Sequence, residues 1–230
     1  MTDPGNDKSK KSQNHISFPL NDSKLVPIKV VFLDGCSEIF KLLNKCPGQE
    51  LFDMVVSKLN IPEPDYFDLE FMDKDGNYCW LDHFKPLAKP LRNMALLTPS
   101  FEFSVKFYSS HPNLLENDYT RFLFALQIKK NLYNGTLLCC EDTKALLLAF
   151  IVQSEIGDYK TDDVAKPIPA SDIGYLKKLK LVKHPKNSLL DKIFDLHKTL
   201  QGMNSTEADY CLLDSARKLE YYGMRTHIAK

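Results

Sequence analysis

Near residue 110 the hydrophobic pattern of this chain changes period, and that change limits the folds open to it. Before it, short apolar stretches alternate with polar residues, the period-two signature of half-buried strands. After it, apolar residues recur at three and four, the signature of amphipathic helices. Alternating strands that give way to helices alone predict two packed lobes, not one α/β sheet.

In the first stretch, residues 27–33 (PIKVVFL) predict a strand. Asp34-Gly35 predicts a two-residue turn, and residues 37–42 (SEIFKL) the returning strand. Pro47-Gly48 breaks the chain. Residues 50–59 (ELFDMVVSKL) place Leu51, Met54, Val55 and Leu59 on one helical face. Residues 66–72 (YFDLEFM) alternate, with Phe67, Leu69 and Phe71 on one side. Lys74-Asp75-Gly76-Asn77 is a turn, and residues 78–81 return. In residues 101–108 (FEFSVKFY), Phe101, Phe103, Val105 and Phe107 are expected to face one way. A hairpin, a helix, a second hairpin and a last strand make a ubiquitin-like roll over residues 25–109.

In the second stretch, residues 117–133 predict a helix stopped by Asn134-Gly135. Residues 142–156 (DTKALLLAFIVQSEI) open on an acidic cap and are apolar almost all round, so they are expected to be the central buried helix. Residues 188–200 carry a Leu189, Ile193, Leu196, Leu200 stripe. Asn204 with Glu207 forms a capping box opening a helix over 205–222 that ends at Gly223. The class expected is α+β: a ubiquitin-like roll followed by an all-helical bundle over 110–224. Residues 1–24, rich in Lys, Ser, Asn and Asp, are expected to be a disordered tail, and 225–230 the start of a linker.

Composition excludes several roles. Thirty basic residues balance thirty acidic ones, and only four of the thirty are Arg, a poor supply of forks for phosphates and base edges. Nucleic acid is therefore not an expected partner. The longest apolar run is the eight residues 145–152, against roughly 20 for a membrane span. No apolar secretory core follows the first Met, so a cytoplasmic protein is expected. The six cysteines lack a C-x-x-C and are expected to be free thiols. Cys139-Cys140 lies where a loop meets a helix start, a place that can lower a thiol pKa, although small buried hydrophobes are the expected reading. No two of the six histidines stand at metal spacing, and His197 is expected at the boundary of its helix's apolar stripe. No phosphate-loop, dinucleotide or nucleophile-elbow motif occurs. Neither catalytic activity nor a cofactor nor a metal is expected.

Two surfaces stand out as candidates. Residues 175–186 (YLKKLKLVKHPK) hold Lys177, Lys178, Lys180, Lys183 and Lys186, with no acid between Asp172 and Asp191. Such a cluster suits diffuse attraction to anionic phospholipid. Its alternative is a solvated loop whose leucines pack on the bundle. Glu63, Asp65 and Tyr66 form an acidic-aromatic edge that could receive a basic peptide. The alternative is that Tyr66 packs against the helix over 51–59.

Several runs resemble FERM domains of the band 4.1 type. DYFDLEF followed by WLD, then FSVKFY, is similar to the first lobe; TRFLFALQIKKNLYNGTLLC and ALLLAFIVQSEIGDY to the opening helices of the second; ADYCLLDSARKLEYYGMRTH to the helix leading out of it. The wording is most similar to the FERM–RhoGEF–pleckstrin type, over residues 25–230. The resemblance implies a non-catalytic scaffold that links membrane-protein cytoplasmic tails, cytoskeletal proteins and the plasma membrane at the cell cortex. It also implies a third lobe, expected to begin where this sequence stops. Two alternatives accompany it: a targeting fragment of a larger Rho exchange factor or tyrosine phosphatase, and a lipid-binding bundle, since the second lobe resembles acyl-CoA-binding proteins.

Overall fold

The computed structural model describes residues 25–94, 99–159, 174–179 and 181–224. The expected tail over 1–24 and linker over 225–230 lie outside the described residues. Strands β1 (Leu25–Val31) and β2 (Ser37–Leu43) form the first hairpin, followed by α1 (Gly48–Leu59), β3 (Phe67–Met72), β4 (Tyr78–Trp80), α2 (Ala88–Asn93) and β5 (Ser100–Val105). They make a five-stranded sheet in the order β2-β1-β5-β3-β4, with β1 and β5 parallel and the other pairs antiparallel. The helices α3 (Asp118–Asn134), α4 (Glu141–Ile156), α5 (Gly174–Lys178), α6 (Asn187–Thr199) and α7 (Ser205–Ala216) follow.

The first hairpin turns through three residues instead of the expected two. Gly35 N–H donates to Phe32 O, Phe32 N–H donates to Cys36 O, and Gly35 sits at φ +86°. Asp34 Oδ1 accepts from Cys36 N–H. This is a type I turn closed by a left-handed glycine, a common loop of that length. Helix α1 differs from expectation in one contact. Phe52 is buried, whereas Met54 is 41% exposed at the rim. The close approach at the start of α1 needs Gly48: a Cβ there would lie 2.6 Å from Asp82 O.

One sheet face packs Ile28, Val30, Phe40, Leu42, Phe67, Leu69, Phe101 and Phe103 against Leu51 and Val55 of α1. Phe107 does not join them and is 60% exposed. Strand β5 ends at Val105, and the N–H groups of Lys106 and Phe107 both donate to Tyr66 O. Two residues against one carbonyl is a bulge-like step that reverses the alternation. Helix α2 was not expected from the pattern; its residues AKPLRN contain a proline.

The second lobe centres on α4, whose residues 147–153 are all buried among α3, α6 and α7. Its N-cap is Cys140, with no side-chain cap bond, in place of the expected acid. Glu141 and Asp142 lie in the first turn and bind Lys192 of α6. Asn117 caps α3 through Tyr119 N–H, and Gly135 ends it at φ +75°. Helix α7 has the expected capping box, but its regular part stops at Ala216 and turns continue to Gly223.

Candidate functional site

The lobes meet where α3 packs against β5 and the residues at the start of β3. Phe124 of α3 is fully buried and touches three rings edge-on: Tyr66, Phe67 and Tyr108, at 5.6, 5.7 and 6.0 Å. Gln127 Oε1 accepts from the buried N–H of Val105. Lys130 pairs with Glu102 of β5 at 2.6 Å, and Asn131 donates to the Tyr108 hydroxyl. Tyr222, beyond α7, stacks edge-on against Tyr108 and donates to Ser109 O. Aromatic contacts with fixed hydrogen bonds hold two lobes at one angle, because a buried unpaired N–H or carboxylate would be costly.

The acidic-aromatic edge of the sequence lies within this joint. The Glu63 carboxylate accepts from the N–H groups of Glu116 and Asn117, at 3.2 and 3.0 Å. Burial pushes this carboxyl up, but the Thr120 hydroxyl, those two N–H groups and the Arg121 charge outweigh burial and hold it below the usual range. Tyr66 donates its hydroxyl to Leu114 O, and the ring contact observed is with Phe124 of the second lobe. Asp65 is exposed.

A second group of acids was missed in the sequence. Asp68 and Glu70 of β3 are buried although they alternate with core residues. Asp68 is held by His83 Nε2 at 2.8 Å and Lys106 Nζ at 2.5 Å, and Glu70 accepts from Ser104 Oγ. Lys106 also lies 5.4 Å over the Trp80 ring. Glu70, Glu102, Lys130, Asn131 and Met224 are among the residues that line a cleft of about 150 Å³ between the lobes.

The lysine cluster divides by direction. Leu176 and Leu181 are buried in the bundle at 1% and 2% exposure. Lys178, Lys183 and Lys186 are exposed, and Lys183 Nζ sits 5.6 Å over the Tyr133 ring. Lys180 and the side chain of Lys177 lie outside the described residues. The anchor beneath is His197, which is fully buried, not at a boundary. Its Nε2 faces Gly157 O at 2.9 Å, so that nitrogen carries the proton, and Nδ1 accepts from Tyr175 O–H at 2.9 Å. Burial lowers its pKa, opposed by the Gly157 carbonyl and the Asp158 charge.

The adjacent cysteines behave oppositely. Burial raises the Cys139 thiol. Cys140 is exposed, and the Thr143 hydroxyl and nearby N–H groups lower it. All six cysteines are unpaired. Among the described residues, no cluster of His, Cys, Asp and Glu has the geometry to hold a metal ion, and no helix is long and apolar enough to cross a membrane.

Residues 30–93 match the FERM N-terminal domain, and residues 110–227 match the FERM central domain. The chain belongs to the FERM family. It is 40% identical over 207 residues to a Gallus gallus protein, FERM, ARHGEF and pleckstrin domain-containing protein 1, covering 90% of this chain and 19% of that one. It is 37% identical over 207 residues to human band 4.1-like protein 3, covering 90% of this chain and 18% of the relative. The chain thus spans about a fifth of these relatives' length. Among solved structures, the FERM and C-terminal domain complex of Drosophila Merlin superposes with a TM-score of 0.69 at 23% identity, over 84% of this chain and 65% of that one. The FERM match and this superposition agree with a ubiquitin-like lobe followed by a helical lobe.

Proposed function

We propose that the two FERM lobes, divided at residues 109–110, act as a non-catalytic adaptor in the cytoplasm beneath the plasma membrane. They would join membrane-protein tails, and the membrane surface itself, to cortical cytoskeletal proteins. The observation that carries this reading is the ledge of outward lysines held by buried leucines. Lys178, Lys183 and Lys186 are exposed while Leu176, Leu181 and the Tyr175–His197 bond fix the backbone that carries them. Lys177 and Lys180 would extend the same ledge. At about 1 kcal/mol per lysine beside an anionic leaflet, the three exposed lysines supply roughly 3 kcal/mol at low salt. A basic tail peptide is offered Asp65, next to Glu63 and Tyr66, whose own polar groups also serve the lobe joint.

Vesicle co-sedimentation tests the membrane part. The protein should pellet with phosphatidylserine-containing vesicles at low salt, less so as salt rises to about 0.15 M, and not with phosphatidylcholine alone. The triple variant K178E/K183E/K186E should lose most of this binding. Binding that ignores lipid charge, or survives in the triple variant, would refute it.

A second reading is a targeting unit within a longer signalling protein. Its support is that the relatives named for ARHGEF domains, and human tyrosine-protein phosphatase non-receptor type 4, are matched over only 19% and 21% of their length. A transcript that continues in frame past Lys230 would favour it, and a stop codon there would remove it.

A further inference from the structure

Strand β2 lies at the open edge of the sheet. Its register with β1 pairs residues whose numbers mirror about the turn, Ile28 with Phe40 and Val30 with Glu38. The Phe32 N–H to Cys36 O bond marks a hydrogen-bonded pair in that register. Such pairs recur every second residue, so Glu38, Phe40 and Leu42 spend their N–H and C=O groups on β1. The opposite phase on β1 agrees: Lys29 N–H turns the other way, to Pro99 O beside β5. Ile39 and Lys41 therefore aim their backbone groups outward, on the side where the sheet has no further strand among the described residues.

The same edge borders a groove of about 730 Å³ between β2 and α1, lined by residues 38–41 of β2 together with Asp53, Met54, Ser57 and Lys58 of α1. Here is the methionine that helical spacing assigned to the core. Three of the groove's four charged side chains are engaged: Glu38 pairs with Lys58 at 3.0 Å, and Asp53 accepts from Gln49; the fourth is Lys41. The opposite face differs. Ile39 is 60% exposed and stands beside its register partner Lys29, with Lys41 next along. The odd-numbered residues of β1 and β2 include these two lysines and no acid. By register the next carboxylate on that face is Glu102, opposite Val31, and Lys130 takes it.

We propose that β2 receives an extended partner segment by strand addition, one whose residues alternate apolar and acidic. Backbone bonds to Ile39 and Lys41 would hold it. Its apolar residues would enter the groove over Met54, and its acids would lie beside Lys29 and Lys41. A second copy of this chain fits less well, because β2 against β2 gathers two lysines from each chain on one face with no acid. The inference concerns the first lobe only and does not depend on the lysine ledge of the second.

The test uses soluble peptides of about eight residues, a typical strand length, with alternating Val and Glu or alternating Val and Lys. In the free protein the amides of Ile39 and Lys41 should exchange with solvent far faster than those of Phe40 and Leu42. The Val/Glu peptide should protect both and bind at least about tenfold more tightly than Val/Lys. Ile39→Pro removes only an outward N–H, which an edge strand tolerates, and should abolish binding with little change in thermal stability. Lys41→Glu should reverse the preference between the peptides, which keeps the test valid if the proline variant does not fold. Slow exchange at Ile39 and Lys41 in the free monomer, equal affinity for both peptides, protection confined to β4, or a dimer joined through β2 would each overturn the proposal.

Discussion

Replacing Asp209 by Asn should make the protein more stable at neutral pH, by an amount that vanishes in acid. Asp209 is 6% exposed in α7. Burial raises its carboxyl, the Ser154 hydroxyl of α4 pulls it partly back, and the Glu155 charge raises it further, to about 6. An unfolded aspartate titrates near about 3.9. The folded state therefore holds this proton more tightly than the unfolded state. The stability associated with the group is fully present below about pH 4 and is lost as pH rises through about 6. A difference of about two units corresponds to at most about 3 kcal/mol, and partial solvent access puts the expected gain at roughly 2 kcal/mol. Asparagine keeps the shape and an acceptor for Ser154 while removing the charge. Urea unfolding of both proteins from about pH 4 to 8 isolates the effect, because every other titration is common to the two. At pH 8 the variant should melt several degrees higher, as a change of this size implies for a chain this long; at pH 4 the curves should converge. A gain that does not vary with pH, or a variant less stable at pH 8, would refute the reasoning.

Phe124→Ala should cost about 3–5 kcal/mol and loosen the joint, since three rings lose their common partner. Calorimetry should show the melt broadening or splitting, and proteolysis should appear between the lobes. Gly48→Ala should destabilise in spite of the roughly 1 kcal/mol of helix propensity it adds, because the new Cβ meets Asp82 O; denaturant midpoints decide. His197 is depressed by burial, so its contribution is present above about pH 6.5 and lost as pH falls below it, opposite in sign to Asp209. His197→Gln should flatten that acid limb in the same unfolding series.

Much of the architecture was legible because it rests on near neighbours in sequence. The capping box at Asn204, the stop at Gly135 and the core alternation of Phe67, Leu69 and Phe71 need only local geometry and one buried face. The misses share another cause. Phe107 turned outward because Tyr66 O accepts two successive N–H groups. The burial of Asp68 and Glu70 did not show in the alternation of β3, because the partners that hold them, His83, Lys106 and Ser104, come from distant positions in the chain. Of the candidate surfaces, the packing of leucines on the bundle was one of the two readings of residues 175–186, and Leu176 and Leu181 are buried, but which lysines turn outward did not follow from spacing.

The order of strands and helices and the absence of a catalytic motif were written in the residues, because period, capping and turn chemistry act over a few positions. The lobe angle set around Phe124, the burial of the β3 acids and the open donors along β2 were decided only in three dimensions. Each depends on which distant segment covers a face or leaves it bare, and short-range propensity carries no information about that.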